Sequence, residues 1–444
     1  MFSEAVEYIK SLDMYGSVLS LDSIRLLAEE LDNPQDGLKF IHVTGTNGKG
    51  SVTAYISNIL KKAGYKVGTY NSPAVLSDID QFKINMKTVS KSLFAEAVSL
   101  VRTACTKVEK DTGNHPTRFE VETMTAFVMF YLEKCDIVVL ETGLGGISDA
   151  TNIVTSTILH VFTSISMDHI GVIGNTIEEI AQNKSGIIKS SVPTVICVAD
   201  KNSKTSAKVI RNKCNEMSSD VYEVNPSSIA NVHIKKERLV FDICSDTIAL
   251  KNVKIKMRGY YQPLNVLTAI MAIKVLIDIG YSISEANIYK GLKKTKIPFR
   301  FEHISLDKTE IILDGAHNAD GADKFIKSLE LNYPDREFIY ITGIFKDKAY
   351  DKIAKITAPL ASKIYAIQNM NSNRSLDKKT LCNEFSKYNK NVIISESIEE
   401  ALDLAISEAN NKVCANATHP VVCCFGSLSW LKQARKHIKS LKDK

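Results

Sequence analysis

The stretch "HVTGTNGKGSV", from His42 to Val52, places three glycines and one lysine between two regular segments. The apolar run "LKFIHV" before it predicts a short β-strand, and "SVTAYISNILKKAGY" after it has apolar residues at helical spacing. In a glycine-dense turn of this kind, consecutive backbone N–H groups point inward, and the N-terminus of the helix adds partial positive charge. The turn is therefore predicted to bind a phosphate group.

The turn departs from the common phosphate-loop pattern G-x-x-x-x-G-K-[ST] at two positions. The first glycine of that pattern would fall on Val43, and its hydroxyl residue would fall on Gly50. Gly48 and Lys49 fit the pattern, and Ser51 follows one position late. A simple glycine-rich turn is the alternative interpretation, but the preceding strand, the lysine and the following helix favour phosphate binding.

The composition excludes several classes of protein. The chain has 444 residues, of which 44% are hydrophobic and 24% charged, which is typical of a globular protein with two or three domains. No apolar run is long enough for a bilayer, and the N-terminal segment lacks a secretory apolar core, so we expect a cytoplasmic protein without a membrane partner. The net charge of +6 is small, so nucleic-acid binding is not expected. The nine cysteines include no C-x-x-C pair and are expected to be reduced.

The first part of the chain alternates between apolar strands and helical patterns. The strands are predicted in the segments "KFIHVTG", "KVGTYNS", "DIVVLETG", "STILHVFTSIS" and "PTVICVA". This alternation is typical of an α/β fold with a mostly parallel sheet covered on both faces. Between Val221 and Met257 the segments "VYEV", "LVFDIC" and "IALKNVKIKM" predict short antiparallel strands in an appended ribbon.

A domain boundary is predicted near Pro298, which interrupts the helical pattern in "KTKIPFRFE". A second alternation begins after it, with "EIILDGA", "REFIYITGI", "SKIYAIQ", "NVIISE" and "PVVCCFGS". We therefore predict a first domain over residues 1–297 and a smaller Rossmann-like domain over residues 298–444. The second domain lacks G-x-G-x-x-G after its first strand, so a dinucleotide is not indicated.

Polar side chains follow two of the strands in the first domain. "DIVVL" leads to Glu141, and "STILHVFTSIS" leads to Asp168 and His169. A carboxylate at the end of a strand beside a phosphate-binding turn suits Mg²⁺, which prefers oxygen ligands and bridges phosphates. The alternative for Glu141 is a local hydrogen bond, and the alternative for His169 is an ordinary buried or surface histidine.

In the second domain, "LDGAHNADG" brings Asp314, His317 and Asn318 together within five residues after a strand. Such segments are usually turns, and a contact to ribose or phosphate is the sharper alternative. Arg300 lies at the predicted hinge, where an arginine could hold phosphate after domain closure.

An ordered set of motifs resembles one family over nearly the whole chain. "HVTGTNGKGS", "FEVETMTAF", "ETGLGGISDATN", "MDHIGVIGNTIEEIAQNKSGIIK", "PFRFE", "DGAHN" and "GSLSWL" resemble, in this order, the folylpolyglutamate synthase and dihydrofolate synthase family of the Mur ligase superfamily. The resemblance implies a mostly parallel P-loop-type ATPase domain with a small antiparallel ribbon, followed by the smaller Rossmann-like domain. It also implies a ligase that uses ATP to convert a substrate carboxylate to an acyl phosphate, which the amine of L-glutamate then attacks.

The resemblance also implies roles for particular residues. Lys49, Lys184 and His317 would be catalytic, and Lys184 resembles the family lysine that is carbamylated by CO₂. Four residues would hold two Mg²⁺ ions, namely Ser72, Glu141, His169 and Lys184. ATP would contact Thr46, Asn47, Gly48, Lys49, Gly50, Ser51, Asn265, Arg300 and Asp314. Folate or dihydropteroate would contact Phe119, Ser148, Asp149 and Ala150. The other expected substrate is L-glutamate, and a monomer is expected.

The motifs depart from the family pattern on the pterin side. Ile147 and Ser148 stand where arginine and leucine are usual, and Ala74 stands where histidine is usual. These departures leave the preferred folate open. A muramyl ligase is an alternative, although the early glycine turn leaves no expected room for its N-terminal UDP-sugar domain. A regulatory nucleotide-binding homologue without ligase turnover is another. A kinase would leave the Asp314 segment and Lys184 without a role.

Overall fold

The computed structural model describes residues 1–16, 20–199, 201–369, 374–412 and 419–443. The chain forms two compact units. Unit 1 comprises Met1–Asn231, Phe241–Lys254 and Pro263–Thr295, and unit 2 comprises Val232–Val240, Ile255–Gln262 and Lys296–Lys444. The predicted domains over residues 1–297 and 298–444 stay a prediction.

The elements up to residue 295 alternate between strands and helices, with short 3₁₀ turns between some of them. The helices are α1 (Phe2–Ser11), α2 (Asp22–Glu29), α3 (Lys49–Lys62), α4 (Lys91–Thr112), α5 (Arg118–Leu132), α6 (Ile177–Ser185), α7 (Lys201–Glu216), α8 (Gln262–Asp278) and α9 (Glu285–Lys294). The strands are β1 (Phe40–Thr44), β2 (Val67–Tyr70), β3 (Phe82–Ile84), β4 (Lys87–Thr88), β5 (Ile137–Glu141), β6 (Thr157–Phe162), β7 (Thr194–Cys197), β8 (Val221–Val224), β9 (Ile229–Lys235), β10 (Arg238–Cys244) and β11 (Ala249–Ile255).

Eight of these strands form the main sheet, in the order β4-β3-β2-β5-β1-β6-β7-β8. The pairs from β2 to β8 are parallel, and β3 and β4 add an antiparallel edge. β1 lies between β5 and β6, and all five of its residues are buried. The carboxyl ends of β1, β5 and β6 therefore meet at one edge of the sheet, where parallel sheets bind ligands.

One strand prediction was wrong and another strand was missed. The segment "VYEV" was expected in the antiparallel ribbon, but it forms β8, which pairs parallel with β7 at the edge of the main sheet. The reason is its connection, because α7 separates it from β7 and a helical crossover returns a strand parallel to its predecessor. The small antiparallel sheet instead has the order β11-β10-β9, and β9 was not predicted.

The elements after residue 295 form a second α/β arrangement. Its strands are β12 (Glu302–Leu306), β13 (Thr309–Asp314), β14 (Phe338–Thr342), β15 (Ala361–Ala366), β16 (Val392–Ile394) and β17 (Val421–Phe425). Its helices are α10 (Ala319–Asn332), α11 (Tyr350–Thr357), α12 (Lys378–Ser386), α13 (Ile398–Asn411) and α14 (Leu428–Lys442). The sheet order is β12-β13-β17-β14-β15-β16, parallel except for β12, an antiparallel edge strand that was not predicted.

Aromatic side chains fill the core of each unit. In unit 1, Phe40, Tyr70 and Phe127 belong to one cluster of buried residues to which α1, α2, α4 and α5 contribute. In unit 2, Phe325 and Phe425 lie in the corresponding cluster, with ring centroids 4.9 Å apart. Among the helices in the described ranges, none has the length and apolar character needed to cross a membrane.

Two buried histidines are expected to make the stability of the first unit depend on pH. His42 on β1 is the register neighbour of His160 on β6, and both are fully buried. Burial, followed by the charge of Lys189, lowers the pKa of His160 from 6.5 to about 3. The unfolded chain therefore binds a proton in a pH range where folded His160 does not, so this residue's contribution to the free energy of unfolding falls as the pH drops below 6.5.

We expect His160→Gln to reduce the dependence of stability on pH. Between about pH 7 and about pH 5, the wild type should lose roughly 2 kcal/mol more of its free energy of unfolding than the variant, because each pH unit corresponds to at most about 1.4 kcal/mol per group. Urea unfolding at both pH values measures the difference. Equal losses in the two proteins would show that His160 does not titrate in this way.

Candidate active site

The glycine turn between β1 and α3 is anchored to the segment that follows β6. The N–H groups of Thr46 and Asn47 donate to the carbonyl oxygen of Ser164 over 2.9 and 3.3 Å. The Thr46 hydroxyl donates to the carbonyl oxygen of Ser166 over 3.0 Å. Neither serine was predicted as a site residue from the sequence. Because Thr46 and Asn47 use their N–H groups inside the protein, the donors offered to a phosphate would come from the first turn of α3, where helical N–H groups have no intrahelical acceptor.

Gly48 brings a predicted ATP contact next to the turn. Its backbone has a φ of 96°, in the left-handed region that favours glycine. A Cβ atom at this position would lie 2.5 Å from Oδ1 of Asn265, which is buried near the start of α8. Asn265 is therefore in close contact with the turn, and its contact with ATP stays a prediction. Gly50 and Ser51 follow in the first turn of α3.

We expect Gly48→Ala to weaken ATP binding at least about tenfold, since left-handed strain and the collision with Asn265 together cost more than about 1.4 kcal/mol. Gly64→Ala is the matched control. Gly64 has a φ of 102°, but its Cβ would meet nothing within 4 Å, so this variant has the strain without the collision. Titration calorimetry with ATP measures both. Equal ATP affinities in the two variants would contradict this account of the turn.

Two lysine amines converge on one carbonyl oxygen of the turn. Nζ of Lys49 donates to the Gly45 oxygen over 3.1 Å, and Nζ of Lys184, from the end of α6, donates to the same oxygen over 2.9 Å. Lys184 is buried, and its pKa is lowered to about 7 by that burial and then by the charge of Lys49. Asp149 and Asp168 oppose this shift. Lys184 thus lies at the turn as a buried amine that loses its proton easily.

Glu141 places a carboxylate beside the turn. It is the last residue of β5, it is 5% exposed, and its Oε2 accepts a hydrogen bond of 2.7 Å from Nδ2 of Asn71. A Cβ at Gly50 would lie 3.5 Å from the same oxygen. Ser72, the other residue predicted for this magnesium ion, follows Asn71 at the end of β2 and is half-buried. The sequence analysis did not select Asn71.

The carboxylate of Glu141 and the hydroxyl of Ser72 suit Mg²⁺, which binds hard oxygen ligands. Over the described ranges, no group of three or more His, Cys, Asp or Glu side chains is arranged to hold a metal ion. The chain therefore lacks a cage made of such side chains in the part that is described. One carboxylate near a phosphate-binding turn is the arrangement in which substrate phosphates and water complete the coordination of Mg²⁺.

The segment after β6 carries the other predicted metal ligand. His169 has a φ of 50°, and its side chain is 44% exposed. Its Nε2 lies 4.0 Å from Oδ2 of Asp168, whose Oδ1 accepts a hydrogen bond from the His169 N–H group. The charge of Asp168 also acts on Lys184. The metal role of His169 stays a prediction.

Asp149 organises the loop after β5. Its Oδ2 accepts from the N–H of Leu144 over 2.6 Å, and its Oδ1 accepts from the N–H and the hydroxyl of Thr151 over 3.0 and 2.5 Å. The carboxyl group is buried, and burial raises its pKa. Of the other predicted folate contacts in this loop, Ala150 is buried and Ser148 is half-buried. Asp149 therefore holds both ends of this loop together.

The first turn of α5 brings Phe119 to the same loop. A Cβ at Gly143 would collide with the Phe119 ring, so the ring lies directly against the loop's backbone. The Phe119 ring is also stacked on Tyr70, at the end of β2, with their centroids 6.3 Å apart. Phe119 and Asp149, two of the predicted folate contacts, thus lie on segments that pack against each other, namely the first turn of α5 and the loop after β5.

In unit 2, the carboxylate of Asp314 has several donors. Its Oδ2 accepts from the hydroxyl of Tyr261 over 3.0 Å and from the N–H of Phe301 over 2.8 Å, and its Oδ1 accepts from the N–H of Ala316 over 2.8 Å. Burial raises the pKa of Asp314, and the charge of Arg300 opposes the increase. The sequence analysis did not select Tyr261, which precedes the α8 helical pattern.

Arg300 and His317 both lie close to Gly315. A Cβ at Gly315 would lie 3.3 Å from a guanidinium nitrogen of Arg300. Nδ1 of His317 lies 2.7 Å from the carbonyl oxygen of Gly315. Arg300, Asp314 and His317 are therefore brought together at the end of β13. The fourth candidate, Asn318, caps the start of α10, where its Oδ1 accepts from the N–H of Gly321 over 2.8 Å.

Two family models match the chain in order. Residues 43–273 match the Mur ligase middle domain, and residues 299–428 match the Mur ligase glutamate ligase domain. The first match spans more than half of the chain.

Named relatives agree with these matches. The chain is 29% identical to a dihydrofolate synthase/folylpolyglutamate synthase of Bacillus subtilis, with 99% of both chains covered. It is 31% identical to a folylpolyglutamate synthase of Lacticaseibacillus casei, covering 84% of this chain and 87% of the relative. A crystal structure of a folylpolyglutamate synthase from Thermotoga maritima superimposes with a TM-score of 0.82 at 30% identity, covering 99% of this chain and 97% of that one. The chain belongs to the folylpolyglutamate synthase and dihydrofolate synthase family of Mur ligases.

Proposed function

We propose that this protein uses ATP to add L-glutamate to a folate carboxylate, and that it also joins glutamate to dihydropteroate. The observation that carries the proposal is the buried Glu141 carboxylate beside the glycine turn that ends in α3. That arrangement suits a nucleotide triphosphate with its magnesium ion. The match to a glutamate ligase domain supports an amino acid as the second substrate.

The proposed reaction has two steps. An oxygen of the folate carboxylate attacks the γ-phosphorus of ATP, which forms an acyl phosphate and releases ADP. The amine of glutamate then attacks the acyl carbon, loses a proton, and expels inorganic phosphate as the amide forms. The first step is needed because a free carboxylate is a poor electrophile until its oxygen becomes part of a leaving group.

The chain's own residues would act by positioning and by neutralising charge. The first N–H groups of α3 and the ammonium of Lys49 would hold the phosphates of ATP at the turn. Glu141 and Ser72 would hold one Mg²⁺, which supplies positive charge against the transferred phosphoryl group. Arg300, Asp314 and His317 would contact the nucleotide, as the family resemblance implies.

We also propose that Lys184 is carbamylated by CO₂ and, with His169, holds a second Mg²⁺. The unprotonated amine is the form that attacks CO₂, and the buried position beside Lys49 favours that form. The product is a carboxylate, which is a hard oxygen ligand. A carbamate would also change the charge beside Lys49 from repulsive to attractive.

We further propose that the enzyme acts as a monomer in the cytoplasm, where ATP is available.

A direct assay tests the proposed function. The purified protein would be incubated with ATP, Mg²⁺ and L-glutamate, with dihydropteroate or tetrahydrofolate as the acceptor. The expected result is acceptor-dependent phosphate release together with a product one glutamate heavier, read by mass spectrometry. Nucleotide binding without amide product from either acceptor would favour the regulatory alternative.

A further inference from the structure

A chain of hydrogen bonds connects the centre of the main sheet to the loop after β5. His42 is the middle residue of β1, and its side chain is fully buried. Its Nε2 lies 2.8 Å from the hydroxyl oxygen of Thr151, and that oxygen lies 2.5 Å from Oδ1 of Asp149. All three residues are buried. His42 and Thr151 belong to two of the quoted motifs, and neither was predicted as a site residue.

The protons in this chain have a preferred arrangement. A carboxylate only accepts hydrogen bonds, so the Thr151 hydroxyl donates to Asp149 and the Thr151 oxygen accepts from an N–H at Nε2 of His42. This tautomer leaves Nδ1 of His42 without a proton. That nitrogen has no hydrogen-bond partner within the described part of the chain, which suits an acceptor better than a buried, unpaired N–H. Burial and the charges of His160 and Lys189 keep the pKa of His42 well below its usual value, so the ring is neutral.

The last residue in this series of hydrogen bonds, Asp149, shapes the loop after β5. Asp149 bonds the N–H of Leu144 with its other oxygen, so its position determines how the segment from residue 144 to 151 folds. β1 is a rigid support for this arrangement, because it is buried between β5 and β6. A second contact, from the Thr44 hydroxyl to the Gly145 carbonyl oxygen over 3.1 Å, connects β1 to the same loop.

We propose that His42 and Thr151 are positioning residues that orient Asp149 for binding the folate or dihydropteroate, which accepts the phosphoryl group in the proposed reaction. The proposal rests on the proposed function and on the family resemblance, which implies that Phe119 and this loop contact the folate or dihydropteroate. The series of hydrogen bonds begins at His42 on β1, the strand that leads into the glycine turn, but it ends at Asp149 in the loop after β5. Loss of these hydrogen bonds should therefore weaken binding of the folate or dihydropteroate and leave ATP binding nearly unchanged.

The test uses paired variants and two Michaelis constants. We expect Thr151→Val, which removes the hydroxyl, to raise the KM for dihydropteroate or tetrahydrofolate at least about tenfold while the KM for ATP stays within about twofold. This follows because a tenfold change corresponds to about 1.4 kcal/mol, and the loss of a hydrogen bond to a charged group costs at least that much. Thr151→Ser, which keeps the hydroxyl, should remain close to wild type. Thr157→Val is the control, because the buried hydroxyl of Thr157 has no hydrogen-bond partner among the described residues.

A second pair keeps the proposal testable if Thr151→Val does not fold. His42→Gln can place an N–H near the position of Nε2, whereas the side chain of His42→Asn is too short to reach Thr151. The acceptor KM should rise in the asparagine variant and stay near wild type in the glutamine variant.

Three outcomes separate the claims. A wild type without acceptor-dependent turnover would overturn the proposed function. An active wild type with an unchanged acceptor KM in Thr151→Val would overturn the inference alone. Equal increases in both Michaelis constants, or the same acceptor effect in Thr157→Val, would assign these residues to general stability and would also overturn it.

Discussion

Glu141→Ala is expected to reduce the rate of glutamate addition by about a thousandfold or more, while the protein stays folded. The carboxylate lies at the end of β5 beside the glycine turn, where it would hold Mg²⁺ against the phosphates of ATP. Removing one group that stabilises charge in a transition state commonly costs about 10²–10³ in rate, and a group that holds a metal ion also removes the metal's contribution. Initial rates of phosphate release measure the loss, and circular dichroism checks the fold.

Two further variants make this result specific. Glu141→Gln keeps the size of the side chain and removes its charge, so it should be nearly as inactive as the alanine variant. Glu133→Ala removes an exposed carboxylate that pairs with Lys66 at 2.7 Å, and it should keep near-normal activity. Near-normal activity of Glu141→Ala would remove this residue from the metal site.

Lys184→Ala is expected to be inactive, and added short carboxylates such as formate or acetate should restore part of the activity. Carbamylation would make this side chain a carboxylate beside the turn, and its removal would leave space at a buried position where a small carboxylate could bind. We expect a loss of at least about a hundredfold, with rescue that saturates as the carboxylate concentration rises. Steady-state rates with and without the carboxylate measure both effects.

Lys189→Ala is the matched control for this experiment. Lys189 is a partly buried lysine whose Nζ donates to the carbonyl and side-chain oxygens of Asn152 rather than to the turn. Any loss of activity in this variant should not be rescued by carboxylates. An active Lys184→Ala variant, or an inactive one that carboxylates do not rescue, would argue against carbamylation.

The parts of the fold that depend on local sequence were predicted well. The strand, turn and helix around Gly48 were expected from glycine spacing and apolar periodicity, and they correspond to β1, the turn and α3. The parallel strands of both sheets were also expected from their apolar runs. β8 was assigned to the wrong sheet because a four-residue strand does not specify its partner, and β12 was missed because its polar residues interrupt the pattern.

The contacts that build the candidate site were only partly predictable. Glu141 was selected as a carboxylate at the end of a strand, and Lys184 and Asn265 were named through motifs. Each of the three proves to contact the turn or lie next to it. Asn71 and Tyr261, which bond Glu141 and Asp314, were not selected. These bonds join residues 70 and 53 positions apart, and they depend on which segments become neighbours in the folded chain.

The hydrogen bonds that join His42, Thr151 and Asp149 could not be predicted from the sequence either. The residues were visible in two motifs, but the pairing follows from β1 lying next to both β5 and β6. Apolar periodicity predicts that such strands share a sheet, and it does not predict their order. The signal available in the sequence was a histidine within a predicted apolar strand.

The most direct measurement is a crystal structure of the protein with a non-hydrolysable ATP analogue and Mg²⁺. Our account predicts that the β- and γ-phosphates lie against the first N–H groups of α3, within hydrogen-bond distance of Nζ of Lys49, with Mg²⁺ between them and Glu141. A nucleotide bound elsewhere, with the glycine turn free of phosphate, would contradict it.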